Sequence, residues 1–167
     1  MLKLVAFICL VAAISGKSLD PAESLYGTYK LIYRWPPLNR EIPNCSELIF
    51  SKMDSTTAST ISCECEKPFN PVPLHIEAPG KKFNLVTDVV NNVEELQEAL
   101  NNNCVCKPSG KVRDVIIKVD ENFLLQYVPG ISSVFLHGKV VPTAEELSTL
   151  ISGFADLKDK EGSLLCK

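Results

Sequence analysis

The 167-residue chain is 46% hydrophobic and 22% charged, with 17 Lys+Arg against 20 Asp+Glu, a balance that excludes a disordered tail or a fibrous repeat. A net charge of −3 and a pI near 5.4 offer phosphates no basic field, so nucleic acid is not an expected partner.

Met1, Leu2 and Lys3 make a short cationic start, residues 4–14 run without a charge, and Ser15 and Gly16 offer small residues for cleavage. This is the pattern of a signal peptide over 1–16, followed by one domain over 17–167 in a secreted, extracellular protein. An uncleaved interfacial helix is the alternative, opposed by Pro21 and the charges of Lys17 and Asp20. Beyond the leader no apolar run approaches the roughly 18 residues of a membrane span.

From Gly27 the residues alternate. Tyr29, Leu31, Tyr33 and Trp35 share one parity, Thr28, Lys30 and Arg34 the other with Ile32 as the exception, and Pro36-Pro37 stops the run, as in a half-buried strand. Short β-rich runs follow over 45–52, 56–65, 72–77, 83–89, 113–119, 123–128 and 134–140, separated by Pro, Gly, Asn and Asp. Seven or eight short strands predict an all-β sandwich or barrel, and eight would use most of the chain in a small closed barrel.

Two segments break the pattern. Residues 91–102 read as a short helix, with Val93, Leu96 and Leu100 on one face and Glu94, Glu95 and Glu98 on the other. Thr143 and Glu146 are spaced as a capping box, and Leu147, Leu150, Ile151, Phe154 and Leu157 then form a stripe about three turns long. A helix in that position packs outside the barrel wall.

Cys9 leaves with the leader, so Cys45, Cys63, Cys65, Cys104, Cys106 and Cys166 remain in an oxidising compartment. Cys63 and Cys65, like Cys104 and Cys106, lie two residues apart, on one face of a strand. If Cys63 faces Cys106 across an antiparallel pair, Cys65 faces Cys104 in equivalent geometry, leaving Cys45 for Cys166. The rival use of the two pairs is a four-thiolate zinc site, although such sites prefer two to four residues between ligands. Asn44-Cys45-Ser46 is a sequon whose central cysteine weakens it as a glycosylation signal at Asn44.

The order of these elements, with several short motifs, resembles the lipocalin family, in a divergent, cysteine-rich form similar to its arthropod branch. Gly27-Thr28-Tyr29 stands where the family has Gly-x-Trp, Val119-Asp120-Glu121 where it has Thr-Asp-Tyr, and Ser133 to Lys139, followed by Pro142 to Leu147, where it has its last strand, basic residue and capped helix. The resemblance implies an eight-stranded antiparallel up-and-down β-barrel with a C-terminal α-helix packed outside. It also implies a barrel base of Gly27, Tyr29, Asp120 and Lys139. Tyr29 replaces the family's tryptophan and Lys139 its arginine, a weaker cation-on-ring closure.

That likeness implies a carrier for a small hydrophobic ligand such as a lipid, retinoid, pigment or semiochemical. The candidate cavity residues are Tyr33, Trp35, Ile76, Leu85, Phe123, Leu125, Tyr127 and Phe135, which serve equally as plain core in a filled barrel. The alternative is a disulfide-stapled binder or inhibitor of a host protein or receptor, acting through the loop Pro36 to Glu41. A third reading is haem or metal sequestration through His75 or His137, the only histidines. No cofactor, metal site or catalytic residue is expected. The chain has no Gly-x-Ser-x-Gly elbow, no phosphate-cradling glycine loop and no His-Glu-x-x-His.

Overall fold

The computed structural model describes residues 22–37, 45–68, 71–107 and 114–166. The expected leader, Asn44 and residues 38–41 of the proline-led loop lie outside the described residues. Among the described residues, ten strands and three α-helices follow in chain order: β1 Gly27–Trp35, β2 Glu47–Lys52, α1 Ser55–Ser59, β3 Ser62–Cys65, β4 Val72–Ala78, β5 Lys81–Val90, α2 Val93–Leu100, β6 Cys104–Lys107, β7 Asp114–Lys118, β8 Phe123–Val128, β9 Ser133–Gly138, α3 Ala144–Gly153 and β10 Ser163–Leu164.

Seven strands close into a barrel in the order β1-β2-β4-β5-β7-β8-β9, with β1 pairing β9 to seal it. Strand β10 lies outside this ring and pairs with Tyr33 and Arg34 of β1, beyond the stretch Gly27 to Lys30 that β2 covers. The expectation of eight antiparallel wall strands is therefore corrected: β5 and β7 pair in parallel, Thr87 against Asp114 through Val90 against Ile117. The cause is β6, which pairs instead with β3 in a separate two-stranded ribbon. In an up-and-down order, strands two places apart run the same way. Lifting the intervening strand out of the wall brings such a pair together.

Disulfides hold that ribbon: Cys63 pairs with Cys106 and Cys65 with Cys104, on directly opposed residues. Cys45 pairs with Cys166 across 121 residues, tying the tail to the start of the β2 segment. All six thiols are thus oxidised, which removes the thiolate zinc alternative.

The helices follow from their caps. Asp54 accepts a hydrogen bond from the Thr57 amide at 2.9 Å and starts α1 inside the run expected to be strand, which shortens β3. Asn92 caps α2 by accepting from the Glu95 amide. Thr143 and Glu146 form the reciprocal capping box of α3. Helix α3 ends at Gly153, before the apolar stripe does, and Leu157 reaches the same core from the turn beyond.

Three clusters show where the apolar surface goes. Tyr29, Phe50, Val72, Leu74, Ile76, Leu85, Ile116 and Leu124 converge from six strands with Ala22 and Leu25, and this is the barrel interior. Ile32, Trp35, Phe123, Leu125 and Leu136 meet Leu147, Leu157 and Cys166 on the outer face of the wall, under α3. Leu96 and Ala99 of α2 pack on Val90 and Val115. Val93, expected on that apolar face, is instead exposed.

Candidate functional site

One end of the barrel is shut. A 3-10 turn, Glu23–Leu25, places fully buried Leu25 under Tyr29. The Lys139 ammonium lies 5.5 Å from the centroid of the Tyr29 ring. Gly27 sits at φ +146°, a conformation that L side chains rarely adopt, and a β-carbon there would lie 3.5 Å from the Lys139 stem. The Asp120 carboxylate accepts from the amides of Asn122 and Phe123 at 2.7 and 2.8 Å, shaping the turn whose Asn122 carbonyl accepts from the Lys139 amide. Gly27, Tyr29, Asp120 and Lys139 thus gather at one end, and burial pushes the Tyr29 hydroxyl pKa up.

Of the eight candidate cavity residues, Ile76 and Leu85 lie in the interior cluster, and Phe135 shares the inward register of Gln126 and Arg34. The other five are corrected. Tyr33, Trp35, Phe123, Leu125 and Tyr127 join the outer cluster under α3, Trp35 packing edge-on to Phe154 at 6.5 Å. In β1 the reason is a bulge: the pairing with β9 slips between Leu31 and Tyr33, so the face that holds Tyr29 loses Tyr33 and Trp35 and gains Arg34. In β8 both parities are largely apolar, and the inward one is Leu124, Gln126 and Val128.

The interior therefore contains polar groups that alternation did not select. Asp114, Gln126 and His137 lie diagonally across β7, β8 and β9, and all three are buried. Gln126 Nε2 donates to the Asp114 carboxylate, and Gln126 Oε1 lies 2.8 Å from His137 Nε2. Thr87 Oγ1 donates to the Asp114 carbonyl at 2.8 Å. The His137 ring is flanked by Phe50 at 5.7 Å and Phe135 at 6.2 Å, and among the described residues its Nδ1 meets no hydrogen-bond partner.

Burial sets the charge states. It lowers the His137 pKa to about 3, so the ring is neutral at ordinary pH. It raises the Asp114 carboxyl to about 6 against the hydrogen bond from Gln126, which favours the anion. Toward the end opposite Tyr29, Arg34 donates to Ser133 Oγ at 2.9 Å and stacks 5.6 Å over Phe135. Phe83, paired with Ile76, is 43% exposed there and leaves the interior register apolar at its rim.

His75 stands apart from this site. It is on the alternate parity of β4, beside Asn84 at 2.8 Å and Glu77 at 3.6 Å. Among the described residues no three His, Cys, Asp or Glu side chains converge as metal ligands. A groove of about 690 Å³ lies on the outer face between α3 and the tail, lined by Pro142, Leu147, Ile151, Lys158 and Leu164 among others.

Asp114 and Gln126 escaped the sequence reading. The available signal was a polar residue interrupting each of three apolar strand segments, Asp114 before Val115-Ile116-Ile117, Gln126 in Phe123 to Val128 and His137 after Phe135-Leu136. No protein-family model matches the chain, and no curated protein matches it significantly.

Proposed function

We propose that the protein is a secreted binding protein of the lipocalin type that carries a small, largely apolar molecule in its barrel and does no chemistry on it. The observation that carries this reading is the barrel itself, closed by the β1–β9 pairing and shut at one end by Leu25 and Tyr29, with the apolar ring of Phe83 43% exposed at the rim of the other. A guest entering at that rim would meet Phe83, Leu85 and Phe135 as apolar contacts. Three disulfides, and no helix among the described residues long and apolar enough to cross a membrane, are consistent with export.

Burial supplies the affinity. Enclosing about 300 Å² of apolar guest at about 25 cal/mol per Å² is worth roughly 7 kcal/mol before the losses of association. Titration with the neutral probe N-phenyl-1-naphthylamine is expected to show saturable, one-site brightening at micromolar concentration, reversed by long-chain alcohols or retinol. A linear, unsaturable response would remove the reading. A Soret band in protein purified from its source would reassign the guest as haem.

A further inference from the structure

We propose that the cleft between α2 and the turn that follows α3 is a binding site, outside the barrel, for a free α-amino acid with an apolar side chain.

The cleft has a volume of about 440 Å³ and lies against the end of β8 and the start of β9. That is within the roughly 300–1,000 Å³ of small-molecule sites, which combine apolar walls with a few placed polar groups. Leu100 of α2, Val134 of β9 and Leu157 of the turn supply apolar wall, and Tyr127, Asp156 and Lys160 supply a phenol, a carboxylate and an ammonium. One hydrogen bond joins α2 to the turn, from Gln97 Nε2 to Asp156 Oδ2 at 3.1 Å, and leaves the other carboxylate oxygen with no donor among the described residues. Lys160 makes no ion pair with a described residue, Asp156 included, and the Tyr127 hydroxyl makes no hydrogen bond with one.

Opposite charges that line one apolar cleft without neutralising each other select a ligand that carries both. A fatty acid would meet Lys160 and be repelled by Asp156. An amine would meet the reverse, and a neutral lipid would engage neither charge. A zwitterion offers its ammonium to Asp156, its carboxylate to Lys160 and its side chain to Leu100, Val134 and Leu157. Tyr127 is held in place by packing in both the α2 cluster and the α3 cluster. Burial, with the Asp156 charge beside it, pushes its phenol up to about 12, so at neutral pH the hydroxyl keeps a proton to donate to the ligand carboxylate.

The test is an NMR titration of the oxidised, full-length protein with L-leucine, with leucinol, which lacks the carboxylate, and with 4-methylpentanoate, which lacks the amine. L-leucine is expected to give saturable shifts centred on Gln97, Leu100, Tyr127 and Lys160, and each of the other two to bind about tenfold more weakly. Both charged residues are exposed, so their variants test the ligand contacts with the fold in place. Lys160→Gln is expected to bring L-leucine down to the affinity of leucinol, and Asp156→Asn to that of 4-methylpentanoate. No saturable shift, or L-leucine binding no tighter than either fragment, would overturn the proposal and leave the carrier reading intact. Displacement of N-phenyl-1-naphthylamine by L-leucine would put the amino acid in the barrel and overturn it as well.

Discussion

Asp114 and His137 pull the pH dependence of stability in opposite directions. The Asp114 carboxyl titrates near 6 in the fold rather than near its ordinary 3.8, because burial outweighs the hydrogen bond from Gln126. Between those values the folded chain holds more protons than the unfolded one. Its contribution to stability is present at low pH and is lost as pH rises through about 6, by about 3 kcal/mol. His137 does the reverse: its folded pKa lies near 3 against an ordinary 6.5, so its contribution is present above 6.5 and is lost as pH falls toward 3. Asp114→Asn keeps an acceptor for Gln126 and deletes only the first effect. Denaturant unfolding should find the variant more stable than the parent at pH 8, by up to about 3 kcal/mol, with the gap closing near pH 4. A parent that is the more stable at pH 8 would show that the carboxylate is stabilised by its surroundings.

The strand β1 and its neighbours show how one irregularity redistributes side chains. After the slip at Leu31, Tyr33 and Trp35 leave the barrel interior and form the outer surface on which the tail lies. The tail needs a glycine there. A β-carbon on Gly162 would come within 2.2 Å of the Tyr33 ring and 2.7 Å of the Arg34 carbonyl oxygen. Gly162→Ala is therefore expected to lift β10 from β1 and to destabilise the protein by roughly 1–3 kcal/mol, measurable as a lower denaturation midpoint with an unchanged far-ultraviolet spectrum.

The ribbon of β3 and β6 carries its own redundancy. Cys63–Cys106 closes a loop of 43 residues, and Cys65–Cys104 is nested just inside it. By chain entropy the two together are worth more than about 4 kcal/mol, while either alone already closes the long loop. Replacing one pair by serines should lower stability by roughly 2 kcal/mol or less, and replacing both by more than twice that, a non-additive result that a double-mutant cycle reads directly.

For the molecule as a whole, closure matters most. The β1–β9 pairing turns an open sheet into a ring, and β10 covers the part of β1 that β2 does not reach, so little unpaired strand edge remains along β1. Cys45–Cys166 then ties the two ends of this arrangement over 121 residues. Its removal as Cys45→Ser with Cys166→Ser is expected to cost about 4–5 kcal/mol by the loop-entropy relation and to lower the melting temperature more than any other single crosslink. Unchanged melting would mean that the tail is held by packing on Tyr33 and Trp35 alone.

Local signals were legible in the residues themselves. The Thr143 and Glu146 box, the α2 segment, most of the strand positions and the two Cys-x-Cys pairs depend on neighbours only a few positions away, where spacing and periodicity carry the information. Three things were settled by contacts between distant parts of the chain. The withdrawal of β6 from the wall, which makes β5 and β7 parallel, depends on where β3 lies. The inward face of β1 depends on how β9 accommodates one extra residue, and a slip of one position exchanges a strand's two faces. The polar line of Asp114, Gln126 and His137 exists only once β7, β8 and β9 lie side by side, because each residue alone is a polar side chain in an apolar strand and becomes tolerable inside the barrel through the hydrogen bonds that Gln126 makes to Asp114 on one side and His137 on the other.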